Sequence, residues 1–327
     1  MEAIIKRLIA SCLLCAAILI VPGHALAAFP DKPIRLIVTS TAGGGLDVVG
    51  RILGKKLSEI WGQPVVVDNR AGAQGNIGTV LGAKAPPDGY TVTLVTMDML
   101  TINPHIYGDA GFDPIKDFAA VSRAVDQQLV LVANPKVPAK NVKELVAFAK
   151  SKPGEVTWAS PNSAAAQLFM EIFERSTGIK LLHVPYKGSA PAVTAVVAGE
   201  TDLTSPGPSG IAQFVKSGKV NAIAVLGKTR NDVLPDVPST FEQGYADLGE
   251  GLSQWWGFVV PAATPEPVVK ALNAGFVAAL NDPEVQKSIR ALGITPTSSA
   301  PEEFANQIRT DYARWGKLVK EVGLKVD

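Results

Sequence analysis

Apolar residues run unbroken from Ile34 to Val38, and the next ones return at helical rather than alternating spacing. Val48, Val49, Ile52, Leu53, Leu57 and Ile60 share one side of a 3.6-residue period, with Lys55, Lys56 and Glu59 between them. The pattern predicts a strand, a loop and a helix over 47–61, with Asp47 as N-cap. A second strand is expected at 65–68, then a turn-rich stretch at 69–78 and a short helix to about 85. The Pro86-Pro87-Asp88-Gly89 turn and a strand at 90–96 complete the unit.

The same succession returns further on: strand 156–159, loop 160–163, helix 164–177, strand 181–184, turn 186–189, short helix 191–198 and strand 201–204. The two stretches barely match residue for residue, so the repetition is architectural. It predicts an α/β protein of two lobes with related topology, each a mostly parallel sheet flanked by helices. Each lobe would offer a ligand loop at the carboxyl end of its first strand. Beyond these units, Pro265, Pro283 and Pro301 each open a helix. In the last, Phe304, Ile308, Tyr312, Trp315 and Val319 align as a core stripe. Apolar runs at 129–133 and 256–260 mark where the chain is expected to pass between lobes.

The first 27 residues read as a cleaved signal segment, 1–27. Lys6 and Arg7 precede an uncharged run from Leu8 to Val21, and Ala25-Leu26-Ala27 supplies the small-x-small site. Ile9 to Cys12 resembles a lipoprotein box, but almost no apolar run precedes that cysteine. Cleavage near Ala27 places the mature chain in the periplasm and removes both cysteines, Cys12 and Cys15, so no disulfide or thiol chemistry is expected. The full chain's 31 basic and 30 acidic residues, less Lys6, Arg7 and Glu2, leave 29 of each. That balance argues against a nucleic-acid partner.

Residues 40–47 read STAGGGLD, between the first strand and the first helix. This is not a dinucleotide fingerprint, because Val48 stands where a third glycine or alanine belongs, nor a P-loop, because no Gly-Lys-Ser/Thr follows. Residues 207–211 lack the last glycine of a nucleophile elbow. His105 and His183 are the only histidines left after export. No metal, cofactor or catalytic site is expected from so sparse a set, and both histidines read as structural hydrogen bonders.

Binding remains. Consecutive glycines at a helix entrance present N–H groups where the helix carries roughly +0.5 charge. One half-site would use the backbone of Gly43, Gly44 and Gly45 with Thr39, Ser40 or Thr41. The other would use Ser160, Asn162, Ser163 and Ala164, where the next helix starts, with Ser205 after the following strand. The plainer alternatives are a tight turn for the glycines and an ordinary N-cap for 160–163. Asp98 reads as a surface-loop aspartate, with contact to a ligand cation as its alternative. A hydrogen bond to a charged group nets about 1.5–3 kcal/mol, and micromolar affinity needs about 8 kcal/mol. Four or five donors split between lobes meet that requirement, so a bound carboxylate would favour closure.

The mature chain resembles the Bug family, the extracytoplasmic substrate-binding proteins of tripartite tricarboxylate transporters. The resemblance rests on FPDKPIR at 29–35, Gly43-Gly44 with Asp47, GQPVVVDNR at 62–70, GNIG at 75–78 and DGY at 88–90. Asn103-Pro104, HVPYKG at 183–188, Gly218-Lys219 and LPDVP at 234–238 continue it in order. It implies a two-lobed periplasmic binding protein of the type II, Venus flytrap-like kind, closing over a small carboxylate. One lobe would combine 28–125 with 254–327, and the other would span 126–253. It further implies no cofactor, a monomer, and the membrane subunits of a tripartite transporter as partner. A signalling protein read by the same closure is the alternative partner, and a secreted hydrolase using Ser160 is a more distant one.

The chain departs from the family at its ligand loops. Ala42 stands where proline is usual, Leu46 where a small hydroxyl residue is common, and the loop at 160–167 is shorter and poorer in glycine. Pro206 and Gly207 replace a frequent acidic or amide residue. Fewer hydroxyls and more methyls point to a ligand less polar than citrate, a monocarboxylate or an aromatic acid.

Overall fold

The computed structural model describes residues 29–161, 164–246, 248 and 254–323. The expected signal segment lies outside the described residues, as do Asn162 and Ser163. The chain divides into two units, Met1–Asp31 and Lys32–Asp327, and every element below belongs to the second.

The chain opens with β1 (Ile34–Val38), α1 (Gly45–Trp61), β2 (Val65–Asn69), α2 (Asn76–Ala83) and β3 (Thr91–Thr96). Two short helices, α3 (Met97–Thr101) and α4 (Asn103–Ile106), lead into β4 (Phe118–Gln127). Next come β5 (Leu129–Ala133), α5 (Val142–Ser151), β6 (Thr157–Pro161), α6 (Ala164–Thr177) and β7 (Leu182–Tyr186). They are followed by α7 (Ser189–Ala198), β8 (Leu203–Thr204), α8 (Pro208–Lys216) and β9 (Asn221–Leu226). The chain ends with β10 (Gln254–Pro261), α9 (Glu266–Asn281), α10 (Pro283–Arg290), β11 (Thr295–Pro296) and α11 (Pro301–Val322). Among the described residues no helix is long and apolar enough to cross a membrane.

Two sheets result, in the orders β11-β4-β10-β3-β1-β2 and β7-β6-β8-β5-β9. Each has the first strand of its unit between the second and third, so the architectural repeat is real. Parallel pairing is confined to those triplets; β10, β4 and β11, and likewise β5 and β9, join antiparallel. This corrects the expectation of mostly parallel sheets. A helical crossover returns the chain to the same end of a sheet and makes neighbours parallel. The chain instead leaves the first sheet along β4 and re-enters it along β10, and an outgoing and a returning strand side by side run in opposite senses.

Helix α1 seats on the first sheet through glycine as much as through its apolar stripe. Val49, Leu53 and Leu57 are buried, whereas Ile60 is exposed. A Cβ on Gly50 would lie 2.9 Å from a Val38 methyl, and one on Gly54 would lie 3.5 Å from Val65 and Val67. The helix is thus turned so that two glycines touch the strands, and its entrance sits close over the end of β1. On the other face, α11 buries Phe304, Ile308, Trp315 and Val319 as the stripe predicts. It reaches α6 through the Phe169–Trp315 ring contact, centroids 5.7 Å apart, and the Arg175–Glu321 pair at 2.9 Å.

The link between the sheets is pinned by amides. Buried Asn231 donates to Gln128 Oε1 at 3.0 Å and to the Gly293 carbonyl at 3.2 Å. Gln128 in turn donates to the Thr229 carbonyl at 2.8 Å.

Candidate functional site

The glycine loop leaves β1 at Thr39, which is buried and turned inward, donating to the Leu94 carbonyl at 3.0 Å. Thr39 is therefore a prop beneath the loop and not one of its ligand donors. Thr41, Gly43 and Gly45 are exposed, and Ser40 and Gly44 are half-buried. Among the described residues Ser40 Oγ reaches only the Thr41 carbonyl, at 3.4 Å. Helix α1 starts at Gly45 with Gly44 as N-cap, so Asp47 is not the cap but the third helical residue.

From there the Asp47 carboxylate reaches back. It accepts the Gly43 N–H at 2.8 Å, Arg51 Nε at 3.0 Å and Asn69 Nδ2 at 2.9 Å. Burial pushes this carboxyl up, but the bonds from Arg51, Gly43 and Asn69 outweigh that and hold it below the usual carboxylate range. Asn69 also donates to the Ser40 carbonyl at 3.2 Å, tying the loop's first residue to β2. Gly43 has φ 82, a conformation that suits glycine.

The outcome for the expected donors is specific. The Gly43 amide is taken by Asp47, and the Gly44 amide turns to the Thr41 carbonyl at 3.4 Å. Gly43 and Gly44 therefore shape the entrance and do not donate from it. Among the described residues, the N–H groups of Gly45, Leu46 and Asp47 have no acceptor. Three unpaired amides therefore stand at the positive end of a 17-residue helix, two residues beyond Gly43, a place whose charge suits an anion.

Trp256 walls this entrance: a Cβ on Gly45 would lie 3.4 Å from the far edge of its indole. Trp256 pairs with Thr96 across β10 and β3, so both side chains leave the same face. Asp98, at the start of α3, accepts a hydrogen bond from the Thr96 hydroxyl, which holds its carboxylate on that face. It is half-buried at the end of β3, not on a surface loop. Burial pushes its carboxyl up, against hydrogen bonds from Thr96 and from the backbone N–H groups of Asp98 and Met99. The two relationships of Trp256, with Thr96 and with Gly45, are not visible in local spacing, since each joins segments far apart in the chain.

In the second unit, β6 ends at Pro161 and α6 begins at Ala164. Ser160 is buried, and its Oγ lies 2.7 Å from His183 Nε2 on neighbouring β7. Burial holds His183 below the usual imidazole range, so the pair is neutral near pH 7. No carboxylate orients the other ring nitrogen among the described residues, so the pair lacks the third member of a hydrolytic triad. His105 bonds the Tyr312 carbonyl at 2.8 Å and lies tilted against its ring, centroids 4.2 Å apart. Both histidines thus have structural partners. Ser205 is half-buried beyond β8, two residues before Gly207, where a Cβ would meet Gln127 Nε2 at 3.0 Å. It sits beside the link between the sheets.

A cavity of about 540 Å³ opens on the α11 face, lined by Arg123, Asp126, Lys228, Trp255, Asp311 and Arg314 among others. None of the expected site residues lines it. Alternation along β10 separates the two places: Trp255 turns to this cavity and donates to Asp311 Oδ2 at 2.7 Å, while Trp256 turns to the glycine loop. The unpaired amides make the entrance of α1 the stronger candidate for an anion.

Comparison with known proteins places the chain among receptors of one family. Residues 49–324 match the model of the tripartite tricarboxylate transporter family receptor. Protein BugT of Bordetella pertussis is 34% identical over 300 residues, covering 91% of each chain. The solved periplasmic binding protein BugD is 32% identical with a TM-score of 0.75, over 91% of this chain and 99% of its own. An R. palustris protein solved with adipate is 30% identical with a TM-score of 0.77, over 91% and 99%.

Proposed function

The chain belongs to the tripartite tricarboxylate transporter receptor family, a family of receptors and not enzymes, and from that membership we propose that it is an exported solute-binding protein. In this reading it captures a small organic acid between its two lobes and hands it to the membrane subunits of a tripartite transporter. The single observation that carries the proposal is the set of free amides at Gly45, Leu46 and Asp47, with the edge of the Trp256 indole beside Gly45. The second half of the site would come from Ser160, Asn162, Ser163 and Ala164, with Ser205 beside them.

The lobes in this reading are 28–125 with 254–327, and 126–253. Membership of the two sheets supports that division, with β4 running on to Gln127. The ligand is a monocarboxylate or an aromatic acid in preference to citrate. An indole edge beside Gly45 favours an apolar body, and three amides suit one carboxylate more than three.

Native mass spectrometry of the molecule that co-purifies and is released on denaturation should find such an acid. Calorimetric titration should then rank benzoate- or nicotinate-like acids above citrate. Tight citrate binding with no affinity for the aromatic acids would overturn the ligand assignment.

A further inference from the structure

We propose that Asp98 is a specificity-determining residue, which selects ligands whose carboxylate is accompanied by a cationic or hydrogen-bond-donating group. The inference rests on the carboxylate-receptor reading above and adds a second pole to it. Thr96, Trp256 and Gly45 share one face at the carboxyl end of the first sheet, and Thr96 fixes the Asp98 carboxylate there. A ligand lying along Trp256, with its carboxylate on the amides of α1, therefore meets a protein carboxylate on the same wall.

The partners of Asp98 are all neutral: one hydroxyl and two backbone N–H groups. No basic side chain pairs with it among the described residues. A half-buried carboxyl without a countercharge repels a second anionic group and favours a cation whenever it is ionised, and a cationic ligand group would itself offset the burial and hold it in that form. The pair of sites is dipolar, with helix amides at one pole and an aspartate at the other. It fits a zwitterion such as an amino-substituted acid, and a hydroxy-substituted acid more weakly. It disfavours a dicarboxylate.

The test uses two series of near-isosteres: 6-aminohexanoate, hexanoate and adipate, and 4-(aminomethyl)benzoate, 4-methylbenzoate and terephthalate. Affinities would be measured by calorimetry on the mature chain and on Asp98→Asn, with circular dichroism confirming that both are folded. In at least one series the wild-type protein should bind the zwitterion roughly ten- to hundredfold tighter than the neutral-tailed acid, the worth of one charge-assisted hydrogen bond. The dianion should be weakest. Asp98→Asn should remove most of that preference while binding of the neutral-tailed acid stays within a few-fold. Equal binding of the three acids, or a preference that survives Asp98→Asn, overturns the role of Asp98 and leaves the receptor reading standing. If no acid of either series binds the folded protein, the receptor reading falls, and this inference with it.

Discussion

Asp47 Oδ2 accepts the amide of Gly43 at 2.8 Å, four residues back along the chain. This one bond divides the labour of the glycine loop: it consumes the amide at the tip and leaves the amides of the first helical turn unpaired. A carboxylate placed to stabilise a helix entrance would ordinarily cap it and occupy the anion site itself. Set at the third helical position, it braces the loop from behind.

Replacing Asp47 by Ala should cost about 1–3 kcal/mol of stability, since Gly43, Arg51 and Asn69 all lose an acceptor at a buried position. Acid affinity should fall with it, because the loop loses its tie to α1. Chemical denaturation and titration with the co-purified acid check both. A variant with full stability and full affinity would show that the brace is unnecessary.

The same carboxylate sets a pH dependence. Its pKa is lower folded than unfolded, so its contribution is complete above the ordinary aspartate value of about 3.9. It is lost as pH falls through the lower folded value. Stability curves for wild type and Asp47→Asn should therefore stay parallel above about pH 5 and converge below about pH 4. Curves that stay parallel through that range would contradict the assignment.

Gly44→Asp should separate folding from binding. Position 44 is the N-cap, where aspartate is favoured, so stability should hold or rise by a few tenths of a kcal/mol. The new carboxylate would take the amides meant for the ligand, and affinity should drop about a hundredfold, the loss of one or two charge-assisted hydrogen bonds. Thermal melting alongside calorimetry decides it, and retained affinity in a stable variant would remove the entrance of α1 from the site.

Tryptophan emission should report binding through one indole of the adjacent pair. Trp256 edges Gly45, while Trp255 turns away to Asp311. Trp256→Phe is expected to abolish the ligand-induced change, and Trp255→Phe to keep most of it. The reverse result would move the ligand to the α11 face.

Gly50→Ala should destabilise the protein by about 1–3 kcal/mol, through overpacking and not through ligand contact. Its Cβ would lie 2.9 Å from a methyl of buried Val38, forcing α1 off the sheet. Urea denaturation gives the cost directly, and a neutral result would mean that the helix seat can yield.

The sequence by itself determined the elements of the duplicated unit and their order, the glycine-rich entrance and the stripe on α11, while β4, β9, α5 and α8 carried no pattern that was read from it. Each of the former is written in spacing over fewer than about twenty residues, where apolar period, glycine and proline act locally. Tertiary structure decided the rest. Strand pairing across long separations put Trp256 opposite Thr96, His183 beside Ser160 and β10 antiparallel to β3 and β4. Which amides are left for a ligand depended on where Asp47 could reach once α1 had settled on its glycines, and whether Asp98 is a surface residue depended on what lies against it. A periodic pattern specifies which face of an element is buried; it does not specify the partner that buries it, and both charge and hydrogen bonding at this site are set by partners.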